Sequence, residues 1–159
     1  DLEAIFNAAK QTRYGLRDHL AVLLAYRQVF RATELVALEW SQSDLHTGRV
    51  DIHRVKRRLG SRLDLSGEEL PLLRRHVFTS ERGGPRASVS LSRMVERVGD
   101  KALPGRGVHA HQLRHSCGHH LAAKCVDTRR IQDWLGHADI SNTMIYTKLQ
   151  SIHLRGIWD

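Results

Sequence analysis

The last third of the chain carries His111-Gln-Leu-Arg114-His115, then Leu135-Gly136-His137, then Tyr146, with Arg31 and Lys56 upstream. These are the groups that a metal-free attack on a phosphodiester requires. Negative oxygens repel a nucleophile, and an alkoxide leaves poorly. Cleavage therefore needs cations on the non-bridging oxygens, a positioned nucleophile and a general acid for the leaving oxygen. Arg31 and Arg114 are candidate clamps, because a fixed guanidinium gives paired hydrogen bonds to phosphate. Tyr146 is a candidate nucleophile, Lys56 a candidate acid, and His111 and His137 candidate proton carriers or phosphate ligands.

Each group also has a plainer reading. Glu34 stands three residues after Arg31, where on a helix it orients that side chain. Alone, such a pair is more often a weak surface contact. His111 and Arg114 share one face of a helix start, where the helix dipole favours an anion. His109, His115, His119 and His120 crowd the same segment. The steps from His111 to His115 to His119 raise a zinc alternative. No HExxH or paired CxxC accompanies them, so no metal ligands are assigned. A histidine just past a helix end, as His137 is, commonly serves only the dipole. Tyrosine is a poor nucleophile at its free pKa of about 10 and needs cations or a base nearby. The arginines, with His111 or His137, are placed to serve Tyr146, whereas Tyr14 and Tyr26 fall in helical segments without such company. Lys56, beside Arg57 and Arg58, is either a solvated lysine at a basic hairpin tip or an acid that reaches onto the phosphodiester.

The composition narrows the partners. The chain has 159 residues, 25 Lys and Arg against 17 Asp and Glu, and a formal charge of +8. A domain this basic ordinarily meets a polyanion. Arginine far outnumbers the five lysines, and its planar fork suits phosphate oxygens. No apolar run reaches membrane-spanning length, and no membrane partner is expected. The first residue is Asp, so an N-terminal part is expected to be missing. Cys117 and Cys125, on one helix, would stand roughly 12 Å apart along the axis, too far for a disulfide. They read as reduced core thiols, as expected of a cytoplasmic protein.

The patterning predicts a mainly α domain with a small three-stranded antiparallel sheet. Helices are expected over Leu2 to Lys10, Leu16 to Phe30, a short segment capped by Thr33, Glu68 to Arg75, Leu91 to Ala102, Gln112 to Lys124, a segment capped by Asp127 or Thr128 and ended by Gly136, and Ser141 to Gln150. Alternation and turn residues place strands at Asp44-Leu45, Arg49 to Arg54 and Arg62 to Leu65. Leu113, Cys117 and Leu121 form a core stripe.

Taken together, Arg31, Lys56, His111-x-x-Arg114, Leu135-Gly136-His137 and Tyr146 closely resemble the catalytic set of the tyrosine recombinases, the phage integrase family. The stretch from His111 to Gly118, the stretch from Asp127 to His137 and the ending Gly156-Ile-Trp-Asp159 resemble most the small fimbrial phase-switch invertases. The resemblance implies the tyrosine-recombinase catalytic fold over residues 1–159, with the N-terminal DNA-clamping domain absent or truncated. It implies strand cleavage and religation through a 3′-phosphotyrosine, with no cofactor, on double-stranded DNA, by a homo-oligomer that is tetrameric in the synapse. It makes Tyr146 the nucleophile, Arg31 and Arg114 the phosphate ligands and Lys56 the acid on the 5′ oxygen. His111 assists proton transfer, His137 bonds the phosphate and Glu34 supports Arg31. Arg57, Arg58 and Arg62 contact DNA. The family usually has glycine two residues before the first arginine. Val29 stands there, so an altered local backbone is expected. The alternatives are a type IB topoisomerase-like enzyme, a non-catalytic DNA-binding regulator of the same fold, and a histidine-site metalloenzyme.

Overall fold

The computed structural model describes residues 1–39, 43–44, 46–52, 61–65, 67–75 and 87–147. Along these run α1 (Leu2–Lys10), α2 (Gly15–Arg27), α3 (Ala32–Val36), β1 (Ser43–Asp44), β2 (Arg49–Ile52), β3 (Ser61–Asp64), α4 (Glu69–Arg75), α5 (Ser88–Ala102), α6 (Ala110–Ala123), α7 (Thr128–Leu135) and α8 (Ser141–Thr147). The described chain is mainly helical. β2 pairs antiparallel with β1 on one side and with β3 on the other, Val50 lying opposite Ser43 and Leu63.

α2 is the central post. Every residue from Asp18 to Ala25 is buried, so its apolar character runs all round rather than along one stripe. It packs against α1, α4 and α6. Full burial of Leu20, Leu23 and Leu24 contributes about 1.5–3 kcal/mol for each side chain. α5 presents Leu91, Met94, Val95 and Val98 to the same core, at helical spacing. A second cluster joins the C-terminal helices to the end of α2 and contains Val29, Cys117, Ile131, Leu135 and Tyr146.

Local chemistry sets the helix ends. The Asp127 carboxylate accepts from the backbone N–H groups of Arg129 and Arg130, capping α7. Gly136 ends α7 in the left-handed region at φ 62°. α3 departs from expectation: its N-cap is Arg31 rather than Thr33, because Glu34 Oε2 accepts from the Arg31 backbone N–H at 2.8 Å. α6 starts two residues early, at Ala110, because the Gln112 side chain reaches back to the His109 N–H at 2.7 Å. Cys117 is buried, but Cys125 lies beyond α6 and is exposed, so only one of the cysteines is a core thiol. The expected residues 148–150 of the last helix, and Trp40, Leu45 and residues 53–60 around the hairpin, fall outside the described residues.

Val29 does not abandon the conformation that a glycine would take. It sits at φ 53° although it is β-branched and fully buried. Its carbonyl receives the Arg114 guanidinium at 2.7 Å, which holds the turn in place. A non-glycine residue held there costs about 1–3 kcal/mol. Val29→Gly should therefore unfold at higher denaturant than Val29→Ala, by about 1 kcal/mol in stability. That reverses the usual order of the two residues. Both variants lose the side chain, and only glycine relieves the strain. Chemical denaturation of the pair checks this; the usual order, with alanine the more stable, would refute it.

Candidate active site

One buried cation ties the site together. Arg114, on α6, is 3% exposed. It donates Nη1 to the Val29 carbonyl at 2.7 Å and Nη2 to the Leu135 carbonyl. It thus joins the α2–α3 link to the end of α7, and charge-assisted bonds of this kind are the strong ones. Arg31 is half-buried at the other side. Its Nη1 meets Glu34 Oε1 at 2.8 Å, so the carboxylate that caps α3 also orients the guanidinium. A cavity of about 520 Å³ opens between them, lined by Phe30, Arg31, Ser92, Arg93, His111 and Arg114 among others. The described geometry thus gathers both expected clamps and His111 around one space.

Electrostatics follow from that gathering. Burial, then Arg114 and Arg31, hold His111 below its ordinary value. His137 is pushed down to about 4, by burial first and then by Arg114, Arg31, His115 and His111. Neutral above that pH, His137 is not a cationic partner for the α7 dipole; its Nδ1 pairs with Thr143 Oγ1 at 2.9 Å. The sign of the pH effect is fixed. An unfolded His137 takes a proton near the ordinary histidine value of 6.5, whereas the folded one resists until about 4. Stability is therefore present above the upper value and is lost as pH falls through this window. His19, His111 and His115 shift in the same direction. His137→Gln should flatten the fall in melting temperature across that window. An unchanged slope would contradict the assignment.

Tyr146 is 1% exposed. Its ring lies against Gly118, where an added Cβ would come within 2.8 Å of Cζ, so only glycine admits the ring. Burial raises its phenol above the ordinary value, and Arg114 pulls the other way without prevailing. The cations therefore do not produce a low-pKa phenol here. His137 stacks on the ring at 6.3 Å and 14°, and His119 meets it edge-on at 5.0 Å. The imidazole at the hydroxyl is His115, Nδ1 to Oη 2.5 Å, rather than His111 or His137. His111 stands one ring further on, 4.5 Å from His115. Sequence reasoning counted His115 only among the crowd; its one signal was the i+4 step from His111.

The other tyrosines correct a second expectation. Tyr14 does have cationic company, with Arg17 4.1 Å and Arg13 5.2 Å from its ring centre. Those charges lie over the ring face, and the residue lines a different cavity from Arg31 and Arg114. Tyr26 faces His120 with its ring at 6.3 Å. Lys56, Arg57 and Arg58 fall outside the described residues, as does the Arg62 side chain, whose backbone pairs with Asp51. Arg93, Ser88 and Ser92, on one face of α5, join the cavity lining and were not singled out from the sequence. Among the described residues no group of three or more His, Cys, Asp and Glu side chains is arranged to hold a metal ion, and no helix is long and apolar enough to cross a membrane.

Comparison with known proteins gives the same frame. The type 1 fimbriae regulatory protein FimE of Escherichia coli K12 is 32% identical, over all of this chain and 88% of its own length. Tyrosine recombinase XerC of Xanthomonas campestris pv. campestris is 31% identical over 91% of this chain and 48% of its own. Among solved structures, XerA recombinase superposes with a TM-score of 0.79 at 25% identity, covering 97% of this chain and 60% of that one. XerH bound to a palindromic difH substrate superposes at 0.81 and 23% identity, a likeness of fold. The chain thus spans about half to three-fifths of these longer recombinases and most of FimE. The phage integrase family model matches residues 1–153, and the chain belongs to that family, the tyrosine-type site-specific DNA recombinases.

Proposed function

We propose that this chain cleaves and rejoins double-stranded DNA at a specific site through a 3′-phosphotyrosine at Tyr146, as an invertase or an integrase. The observation that carries the reading is the convergence of Arg31, His111 and Arg114 on one cavity, with the Tyr146 hydroxyl one imidazole away from His111. Arg31, steered by Glu34, and Arg114 hold the non-bridging oxygens. His137 adds a hydrogen bond to the phosphate, and His111 helps move the proton. Lys56 protonates the 5′ oxygen, from the hairpin of a small three-stranded sheet formed by β1, β2 and β3. Arg57, Arg58 and Arg62 contact the DNA beside it. Residues 1–159 act as the catalytic domain, and protomers assemble on DNA, as a tetramer in the synapse, in the cytoplasm. The energy of the broken bond stays in the phosphotyrosine, so religation needs no external supply.

Guanidinium and ammonium charges take the place of a metal in this scheme. Covalent adduct formation on nicked suicide duplexes should therefore continue in excess chelator. Abolition by chelator with rescue by zinc or magnesium would overturn it. Binding should weaken steeply with salt. If about six phosphates are neutralised, log K against log salt should slope near −5; a flat dependence would mean that the positive charge is not used on DNA.

A further inference from the structure

We propose that His115 is the base that takes the proton of Tyr146 during cleavage and returns it during religation. The inference rests on the reading of Tyr146 as nucleophile. Of the imidazoles around that ring, His119 and His137 meet its edge and face. His115 meets the hydroxyl itself, with Nδ1 2.5 Å from Oη. Because the phenol is buried, this bond also defines where its proton can go.

The surroundings of His115 keep its imidazole neutral before the reaction. His115 faces His111, Arg114 and His119 on its own helix, Tyr146 on α8, and His137 beyond α7. Burial first, then His111, His119 and Arg114, disfavour a positive charge on it. The proposal takes the tautomer in which Nε2 carries the hydrogen and the bare Nδ1 accepts from the phenol O–H. His115 also lines a second cavity of about 310 Å³ with Ser116, His119, Arg106 and Asp1, separate from the one lined by Arg31 and Arg114. A proton passed to His115 can thus exchange with solvent without crossing the phosphate site.

The step balances. As Oη attacks phosphorus, its O–H bond breaks and the O–P bond forms, and the proton moves to Nδ1. The bond from phosphorus to the 5′ oxygen breaks, and that oxygen takes a proton from the acid, the role given to Lys56. On religation the 5′ hydroxyl attacks phosphorus and gives its proton back to the Lys56 amine. The phenolate leaves and recovers its proton from the His115 imidazolium. His111, which lines the phosphate cavity one ring away, keeps its assisting part in moving the proton, from the phosphate side of His115.

The test measures single-turnover adduct formation on nicked duplexes captured from a randomised library, from about pH 6 to about pH 9. His115→Asn places an amide oxygen near the position of Nδ1, which accepts a hydrogen bond but cannot take the proton. It should cleave roughly 100- to 10,000-fold more slowly at neutral pH. Its rate should also rise about tenfold per pH unit, because the phenol must then ionise to solvent. The unmutated enzyme should be nearly flat above neutrality. Added imidazole should raise the rate of His115→Ala. An Asn variant that follows the unmutated pH profile, whether at the same rate or slower by a constant factor, would make His115 a holder only and overturn the proposal. If the unmutated enzyme forms no adduct at Tyr146, the nucleophile reading fails and the inference fails with it. If it does and the Asn variant matches it, only the inference fails.

Discussion

Tyr146→Phe yields no covalent protein–DNA adduct, while Tyr14→Phe and Tyr26→Phe cleave like the unmutated chain. Benzene has no oxygen to bond phosphorus, so the loss is complete rather than graded. The fold should tolerate the change. The ring keeps its place against Gly118 and in the cluster with Cys117, Ile131 and Leu135. What is lost is the hydrogen bond to His115, about 1 kcal/mol for a bond of this kind. The cavity between Arg31 and Arg114 does not depend on the hydroxyl, so DNA binding should stay close to that of the unmutated chain. A gel-shift titration beside the adduct assay separates the two. An adduct that persists in Tyr146→Phe, or that vanishes in Tyr14→Phe, would move the nucleophile elsewhere. Tyr14 is the informative control because it has cations of its own, stacked on its ring face.

The second large effect is at Lys56. Removing a general acid costs roughly two to four orders of magnitude in cleavage, so Lys56→Ala should fall by that much on ordinary DNA. Arg57 and Arg58 cannot replace it, because a guanidinium keeps its proton. A duplex with sulfur at the 5′ bridging position isolates the role. A thiolate leaves without protonation, so Lys56→Ala should cleave that substrate almost as fast as the unmutated chain does. Arg31→Ala should gain no such rescue, because its guanidinium, aimed by Glu34, lines the cavity shared with His111 and Arg114, and its task in this scheme is to hold the non-bridging oxygens. A Lys56→Ala variant equally slow on both substrates would make Lys56 a DNA contact and send the search for the acid to the histidines.

Much of this site could be read from the sequence because the chemistry lies in residue identity and short spacing. Asp127 and Gly136 announced the ends of α7, and the structure uses both. The i, i+3 pairs Arg31–Glu34 and His111–Arg114 became one ion pair and one shared cavity lining. What could not be read depends on contacts between helices. His115 looks like one more residue of a histidine stripe until α8 delivers Tyr146 to it. Arg114 looks like a phosphate ligand alone until α2 and α7 bring two carbonyls to its guanidinium. The same carbonyl bears on Val29: its bond to the Arg114 guanidinium holds a β-branched residue in the left-handed region, and nothing in the local pattern announces that bond. Buried polar groups were equally invisible. Gln28 reaches Glu69 at 3.1 Å and the Asp64 carbonyl at 3.3 Å, tying the end of α2 to β3 and α4, and nothing in the local pattern announces that link.

The most direct measurement is the mapping of the covalent bond itself. The adduct trapped on nicked duplex DNA is digested with nuclease and trypsin, and the phosphorylated peptide is identified by mass spectrometry. Cleavage after Arg130 and Lys148 releases a peptide with Tyr146 as its one tyrosine. Phosphate, or a residual 3′-nucleotide, on the tyrosine of that peptide is the predicted result. The same mark on a peptide containing Tyr14 or Tyr26, or on a serine or histidine, would contradict the account.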